Sequence, residues 1–163
     1  MHTALEAHLG SRQVARVIYG SIIGLALVVV LQSHPPEAGV MIASLVSTGV
    51  AVGLAELYSE IVGSETRTRH RIRRDELTPI IEDVIAVTIG VAFPALFFIL
   101  AAAGALELDT AFKVAKWTGL TLIAVYGFAA ARLAGAGLLG AIVQALAVAA
   151  IGAVMIAVKA LVH

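Results

Sequence analysis

Four carboxylates lie where two apolar stretches of the chain end and begin, a place where charges are costly. Glu56 and Glu60 close one stretch at helical spacing, and Glu82 and Asp83 open the next. Oxygen ligands of this kind suit hard or borderline divalent cations such as Mg²⁺, Mn²⁺ or Fe²⁺. Crowded carboxylates also retain protons, which allows a proton to be exchanged against a cation. The sequence therefore predicts a metal and proton site formed by Glu56, Asp83, Glu82 and Glu60.

The small residues of the first stretch indicate which way its two acids face. At about 100° per residue, Gly49, Gly53, Glu56 and Glu60 fall within one narrow arc of a helix. Glu56 lies about 9 Å inside the apolar stretch at ~1.5 Å per residue. A charge at that depth costs roughly 2–4 kcal/mol unless it is paired, hydrated or protonated. We therefore expect Glu56 to point into a helix bundle, whereas Glu60 has the simpler interpretation of a helix-end acid that pairs with nearby arginines.

A dense charge run separates the two pairs of acids. It contains five arginines: Arg67, Arg69, Arg71, Arg73 and Arg74. As a topology signal in contact with anionic lipid, the run needs no further function. As a binding site for an anionic substrate, a regulator or a protein partner, it would carry a function of its own. Nucleic-acid binding is not expected from so short a loop.

The composition places the chain among integral membrane proteins. Its 163 residues are 60% hydrophobic and 13% charged, and its mean hydropathy is +0.99. A membrane-spanning helix needs about 20 mostly apolar residues. Five continuous stretches qualify: 13–32, 38–62, 79–104, 111–131 and 138–161. The sequence therefore predicts an all-α, single-domain polytopic membrane protein with five transmembrane helices.

The positive charges predict the orientation of these helices. Eight arginines fall before the first stretch, between the second and third, and after the fourth, whereas three lysines fall on the other side. By the positive-inside rule, the N-terminus is cytoplasmic and the C-terminus external, as an odd number of spans requires. Residues 1–12 are expected to form an interfacial segment and 63–78 a cytoplasmic arginine-rich linker. The expected location is a bacterial plasma membrane.

Two GxxxG spacings indicate close helix packing. They are Gly20–Gly24 in the first stretch and Gly49–Gly53 in the second. Tyr19, beside the first spacing, is the tyrosine best placed to take part in an ion pathway.

Pro94, in the middle of the third stretch, is expected to kink its helix.

The chain has no cysteine, which excludes disulfides and cysteine-ligated metal centres. Because no nucleophile–base pair is visible, we expect no enzymatic activity. We also expect no tightly bound cofactor, apart from a transported divalent cation.

In their order, these features resemble the vacuolar iron transporter family, small five-helix membrane proteins that move Fe²⁺ or Mn²⁺. The segment 52–59 (Val-Gly-Leu-Ala-Glu-Leu-Tyr-Ser) is similar to the Met-x-x-Gly-Glu-Tyr-x-Ser motif that ends the family's second helix. The segment 90–94 (Gly-Val-Ala-Phe-Pro) is similar to the small residues and proline of its third helix. The resemblance implies the family's fold, proton-coupled transport with Glu56 as a site residue, and a homodimer packed along the first helix.

Two positions favour an alternative function. Tyr19 and Val52 stand where the family carries a pathway aspartate and a methionine. The alternative is a non-transporting membrane scaffold or regulatory subunit whose arginine-rich loop binds anionic lipid or a partner.

Overall fold

Long apolar helices make up almost all of the chain that the structure describes. The computed structural model describes residues 12–162. Over that range the helices are α1 (Arg12–Leu31), α2 (Ala38–Thr68), α3 (Arg74–Ala92), α4 (Ala95–Ala102), α5 (Leu108–Leu133) and α6 (Leu138–Val162). The predicted all-α fold is confirmed. The predicted interfacial segment 1–12 lies outside the described residues, apart from Arg12, where α1 begins.

Four of these helices, α1, α2, α5 and α6, are long and apolar enough to cross a membrane. Helices α3 and α4 meet this criterion only as a pair, bent by 47° at their junction. The break falls at Phe93–Pro94, because proline lacks the N–H that would continue the hydrogen-bond ladder. The predicted kink at Pro94 is therefore confirmed. Residues 12–162 thus contain four candidate spans, or five if the bent pair counts as one.

The bundle also exposes large apolar side chains along its helices, as membrane spans do. Val, Leu and Ile residues are exposed on α1, α2, α3, α4, α5 and α6 alike. A water-soluble monomer rarely exposes so much contiguous apolar surface. The arrangement is therefore compatible with an integral membrane protein.

Glycines bring α1 into backbone contact with α3. A Cβ atom added to Gly24 would lie 2.6 Å from the carbonyl oxygen of Val91, and one added to Gly90 would lie 2.7 Å from that of Val17. Gly20 is equally close to the backbone of α3. Only glycine permits this approach, because the obstructing atoms are backbone atoms. The glycine face of α1 is thus covered within the chain, and a second copy packed along α1 would have to use another face.

The glycines of α2 pack against an adjacent face of α3, about 100° around the helix from the α1 contact. A Cβ atom on Gly49 would lie 3.1 Å from the carbonyl oxygen of Thr88, and one on Gly53 would collide with the Thr88 side chain. Helix α3 therefore contacts both α1 and α2. This arrangement decides which side chains of the three helices can meet.

Aromatic packing holds the end of the bundle far from the arginine run. Phe98 of α4 and Phe112 of α5 are fully buried, and their ring centroids lie 4.9 Å apart in an edge-to-face arrangement. They belong to a core cluster with Val28, Met41 and Leu45. This cluster joins α1, α2, α4 and α5.

The predicted cytoplasmic linker 63–78 is largely helical in the structure. Helix α2 continues to Thr68 and α3 begins at Arg74, so the non-helical connection is residues 69–73. Helical backbone hydrogen bonding continues beyond the last apolar residues of α2. In the last turn, the Thr68 hydroxyl donates to the Ser64 carbonyl. The helix ends at Arg69, whose left-handed conformation (φ 57°) turns the chain away.

Candidate functional site

An arginine of α1 lies where carboxylates of α2 and α3 converge. The Nη1 atom of Arg16 contacts Glu56 Oε1. Its Nη2 atom lies 3.7 Å from Glu60 Oε2, and its Nε atom lies 3.8 Å from Asp83 Oδ2. The structure thus brings together three of the four acids that the sequence singled out, and it places a guanidinium among them. We call Arg16, Glu56, Glu60 and Asp83 the charge cluster.

The charge cluster is largely shielded from solvent. The exposed fraction of the side chain is 5% for Asp83, 16% for Glu56, 19% for Glu60 and 24% for Arg16. Ionised groups at such depth persist only where opposite charges and hydrogen bonds replace the lost water. The guanidinium supplies the opposite charge for the acids of two helices at once, since its planar fork extends toward both.

Helix geometry explains why Arg16 reaches this position. Arg16, Gly20 and Gly24 follow one another at intervals of four residues, so they share one face of α1. The two glycines press that face against α3. On α3, Asp83 lies on the same buried face as Val87, the residue against which Gly20 packs. The glycine crossing therefore brings Arg16 up to Asp83.

The same reasoning places the acids of α2. Glu56 continues the face that carries Gly49 and Gly53, both buried against Thr88 of α3. Because α1 and α2 pack on adjacent faces of α3, the guanidinium of Arg16 can reach both Asp83 and Glu56. The predicted inward facing of Glu56 is confirmed by its contact with Arg16.

Sequence reasoning missed Arg16 as a site residue and used it only as a topology signal. The sequence nevertheless contains a pattern that indicates Arg16. A charge within an apolar stretch, on the face of a GxxxG pair, is the pattern that drew attention to Glu56. Applied to the first stretch, the same test would have identified Arg16.

Glu82 differs from its neighbour Asp83. It accepts a hydrogen bond of 3.1 Å from the Gln13 side-chain amide. It also lines an open groove of about 470 Å³ between α1 and α3, whose far wall includes Tyr126. Adjacent residues of a helix point about 100° apart. Asp83 therefore contacts the guanidinium of Arg16 while Glu82 faces this groove.

The remaining predicted pathway residue lies outside the charge cluster. Tyr19 is 48% exposed on the surface of α1. Among the described residues, no group of three or more His, Cys, Asp or Glu side chains is placed to hold a metal ion. At the charge cluster, the guanidinium of Arg16 contacts all three carboxylates.

The arginine run forms an ordered turn at the same end of the bundle. All five arginines, Arg67, Arg69, Arg71, Arg73 and Arg74, are exposed. The backbone N–H of Ile72 donates to Glu65 Oε1 at 3.2 Å, and that of Arg73 donates to Glu76 Oε2 at 2.9 Å. The Glu76 N–H in turn donates to the Arg73 carbonyl at 3.1 Å. Two acids of the run thus hold the turn and cap α3.

No protein-family model, no curated protein sequence and no solved structure matches this chain. Functional inference therefore rests on the geometry of the site. Chemically, the charge cluster can retain a cation, exchange protons at its carboxylates, or lock three helices together.

Proposed function

We propose that the protein is a membrane transporter of divalent cations of the Fe²⁺ or Mn²⁺ type, with Glu56 and Asp83 as its principal cation ligands and Glu60 as a further one. The observation that carries the proposal is the convergence of these three carboxylates, from two helices, in a shielded position that already holds a cationic group. Oxygen ligands suit such ions. The likeness of segment 52–59 to the vacuolar iron transporter motif supports the same function.

The proposed topology has five spans, with the bent pair α3–α4 as the third. The arginine distribution favours a cytoplasmic N-terminus, an external C-terminus and a bacterial plasma membrane. In that orientation the charge cluster lies near the cytoplasmic boundary. We also propose a homodimer, whose contact would use surfaces other than the glycine face of α1.

Arg16 acts in this proposal as a tethered cation that competes with the transported one. Two unit charges 4 Å apart interact by about 4 kcal/mol at an effective dielectric constant of 20, so a divalent ion beside the guanidinium would be repelled by about 8 kcal/mol. The guanidinium thus offsets the attraction that one of the three carboxylates would exert, and a cation binds more weakly while Arg16 stays in place. A cation binds more tightly when the Arg16 side chain swings out, and the carboxylates regain Arg16, or take up protons, when the cation leaves.

The test is uptake of Mn²⁺ into proteoliposomes that contain the full chain. Glu56→Gln keeps the shape of the side chain and removes its charge, and we expect flux to fall by about tenfold or more, since a lost ligand interaction of ~1.4 kcal/mol already corresponds to tenfold. The matched control is Glu82→Gln, because Glu82 faces the groove and should leave flux within about twofold of wild type. Equal flux in wild type and Glu56→Gln would remove Glu56 from the mechanism.

A second candidate function is a non-transporting membrane scaffold or regulatory subunit. The observation that favours it is the guanidinium itself, which can remain paired with carboxylates of two helices and so join α1, α2 and α3. In that case wild-type protein carries no Mn²⁺ flux, and Arg16→Gln changes only stability. In the transport case, Arg16→Gln raises the affinity for Mn²⁺, because the competing charge is gone.

A further inference from the structure

The exposed arginines of the turn between α2 and α3 have no role in the proposed transport. Five of the eight residues from 67 to 74 are arginines, and all five are exposed. The charge cluster uses none of them. Their density and their position call for an explanation of their own.

The turn displays its arginines on a fixed scaffold. Arg67 stands in the last turn of α2, and its Nε donates to the Gly63 carbonyl at 3.3 Å. The backbone between the helices is held by Glu65 and Glu76, which accept hydrogen bonds from the N–H groups of Ile72 and Arg73. These two carboxylates are thus engaged in shaping the turn. The backbone that carries the arginines is therefore fixed before any ligand arrives, which lowers the entropy cost of binding.

The depth of the turn matches the layer of lipid headgroups. The apolar stretch of α2 ends near residue 62, so Arg67 lies about 7.5 Å beyond it at ~1.5 Å per residue. Arg74 lies about 9 Å from Ile80, where α3 becomes buried and apolar, by the same rise. The headgroup layer extends roughly 5–8 Å beyond the hydrocarbon on each side. Side chains that leave this turn are therefore level with the lipid phosphates.

We infer that residues 67–74 form a binding surface for the phosphate groups of anionic phospholipids. The charged residues displayed there are arginines rather than lysines, and the guanidinium fork matches two phosphate oxygens at once. Electrostatic attraction to an anionic leaflet acts on the same groups. This surface does not rest on the proposed transport and would serve a scaffold equally well.

The experiment measures retention of tail-labelled phosphatidylglycerol by the purified full chain in dodecyl maltoside, with unlabelled phosphatidylcholine and inorganic phosphate as competitors. We expect Arg69→Gln/Arg71→Gln to weaken binding about tenfold, and replacement of all five arginines by Gln to abolish it. The matched control is Lys113→Gln/Lys116→Gln, which removes positive charges near the start of α5 and should leave binding unchanged. The double variant keeps Glu65, Glu76 and Arg73, whose hydrogen bonds hold the turn, and it replaces Arg69 at its left-handed position by another side chain that is unbranched at Cβ, so it tests binding even if the fivefold variant does not fold.

Two results would overturn the inference. One is equal retention of phosphatidylglycerol by wild type and the Arg69→Gln/Arg71→Gln variant. The other is displacement by phosphatidylcholine or by inorganic phosphate as effective as displacement by unlabelled phosphatidylglycerol. Capture of an acidic protein by the turn, with lipid retention unaffected by the substitutions, would assign the surface to a protein partner instead. None of these outcomes depends on Mn²⁺ flux.

Discussion

Replacing Arg16 with glutamine tests whether the charge cluster holds the bundle together. Removing one partner of a buried ion pair typically costs about 3–5 kcal/mol. Arg16 and Glu56 keep exposed fractions of 24% and 16%, so part of the lost interaction is replaced by water. Asp83, at 5%, cannot recover solvent in this way. We therefore expect Arg16→Gln to lower the free energy of unfolding by about 2–3 kcal/mol.

The pairwise part of this effect can be isolated with a double-mutant cycle. Glu56→Gln and Arg16→Gln together should cost less than the sum of the single changes, with a coupling energy of about 1–2 kcal/mol, because each substitution removes the same contact. Arg16→Lys should recover only part of the stability. A lysine keeps the charge but cannot span Glu56 and Asp83 with a planar fork.

The assay is reversible unfolding in mixed dodecyl maltoside and sodium dodecyl sulfate micelles, followed by helical circular dichroism. Lys116→Gln serves as the control, because Lys116 Nζ donates to Gln32 Oε1 at 3.2 Å at the opposite end of the bundle. That polar contact should be worth about 0.5 kcal/mol. The reasoning is refuted if Arg16→Gln is no more destabilising than Lys116→Gln, or if the coupling energy with Glu56 is zero.

Four further substitutions, in two matched pairs, test the packing of the bundle. Gly90→Ala should destabilise the protein by about 1–3 kcal/mol, because its Cβ atom would meet the Val17 carbonyl and the α1 backbone cannot yield. Gly63→Ala, with open space around it, should instead stabilise α2 by up to about 1 kcal/mol; similar effects at both positions would contradict the close crossing. Phe112→Ala should cost about 3–5 kcal/mol in the same micelle assay, whereas Trp117→Ala, which is exposed, should cost much less.

The helices and their break were predictable because they depend on local properties. Apolar stretches of membrane length identified four spans directly, and the missing N–H of Pro94 predicted the bend between α3 and α4. The end of α2 was not predictable in the same way. Its last turn, up to Thr68, is polar, and helical hydrogen bonds continue there without any hydrophobic signal. The helix ends at Arg69 in a left-handed conformation, which an arginine rarely adopts, so the residue type did not indicate this helix end.

Only part of the charge cluster was predictable from the sequence. Periodicity placed Glu56 on the small-residue face of its helix, and the structure has it there. Glu82 and Asp83 are adjacent acids with the same local sequence context, and the sequence assigned both to one site. Both meet α1, but adjacent residues of α3 point about 100° apart, so Asp83 reaches Arg16 while Glu82 reaches Gln13 and the groove.

The order of apolar and charged residues was enough to determine an all-helical chain with membrane-length spans and acids facing inward, since these features follow from helix periodicity and the cost of charge in an apolar surrounding. The tertiary structure alone decided that Arg16 joins those acids. The reason is physical: the meeting depends on glycine crossings at Gly20, Gly24 and Gly90 that bring two backbones into contact. The sequence of α1 by itself does not indicate which helix packs against its glycines.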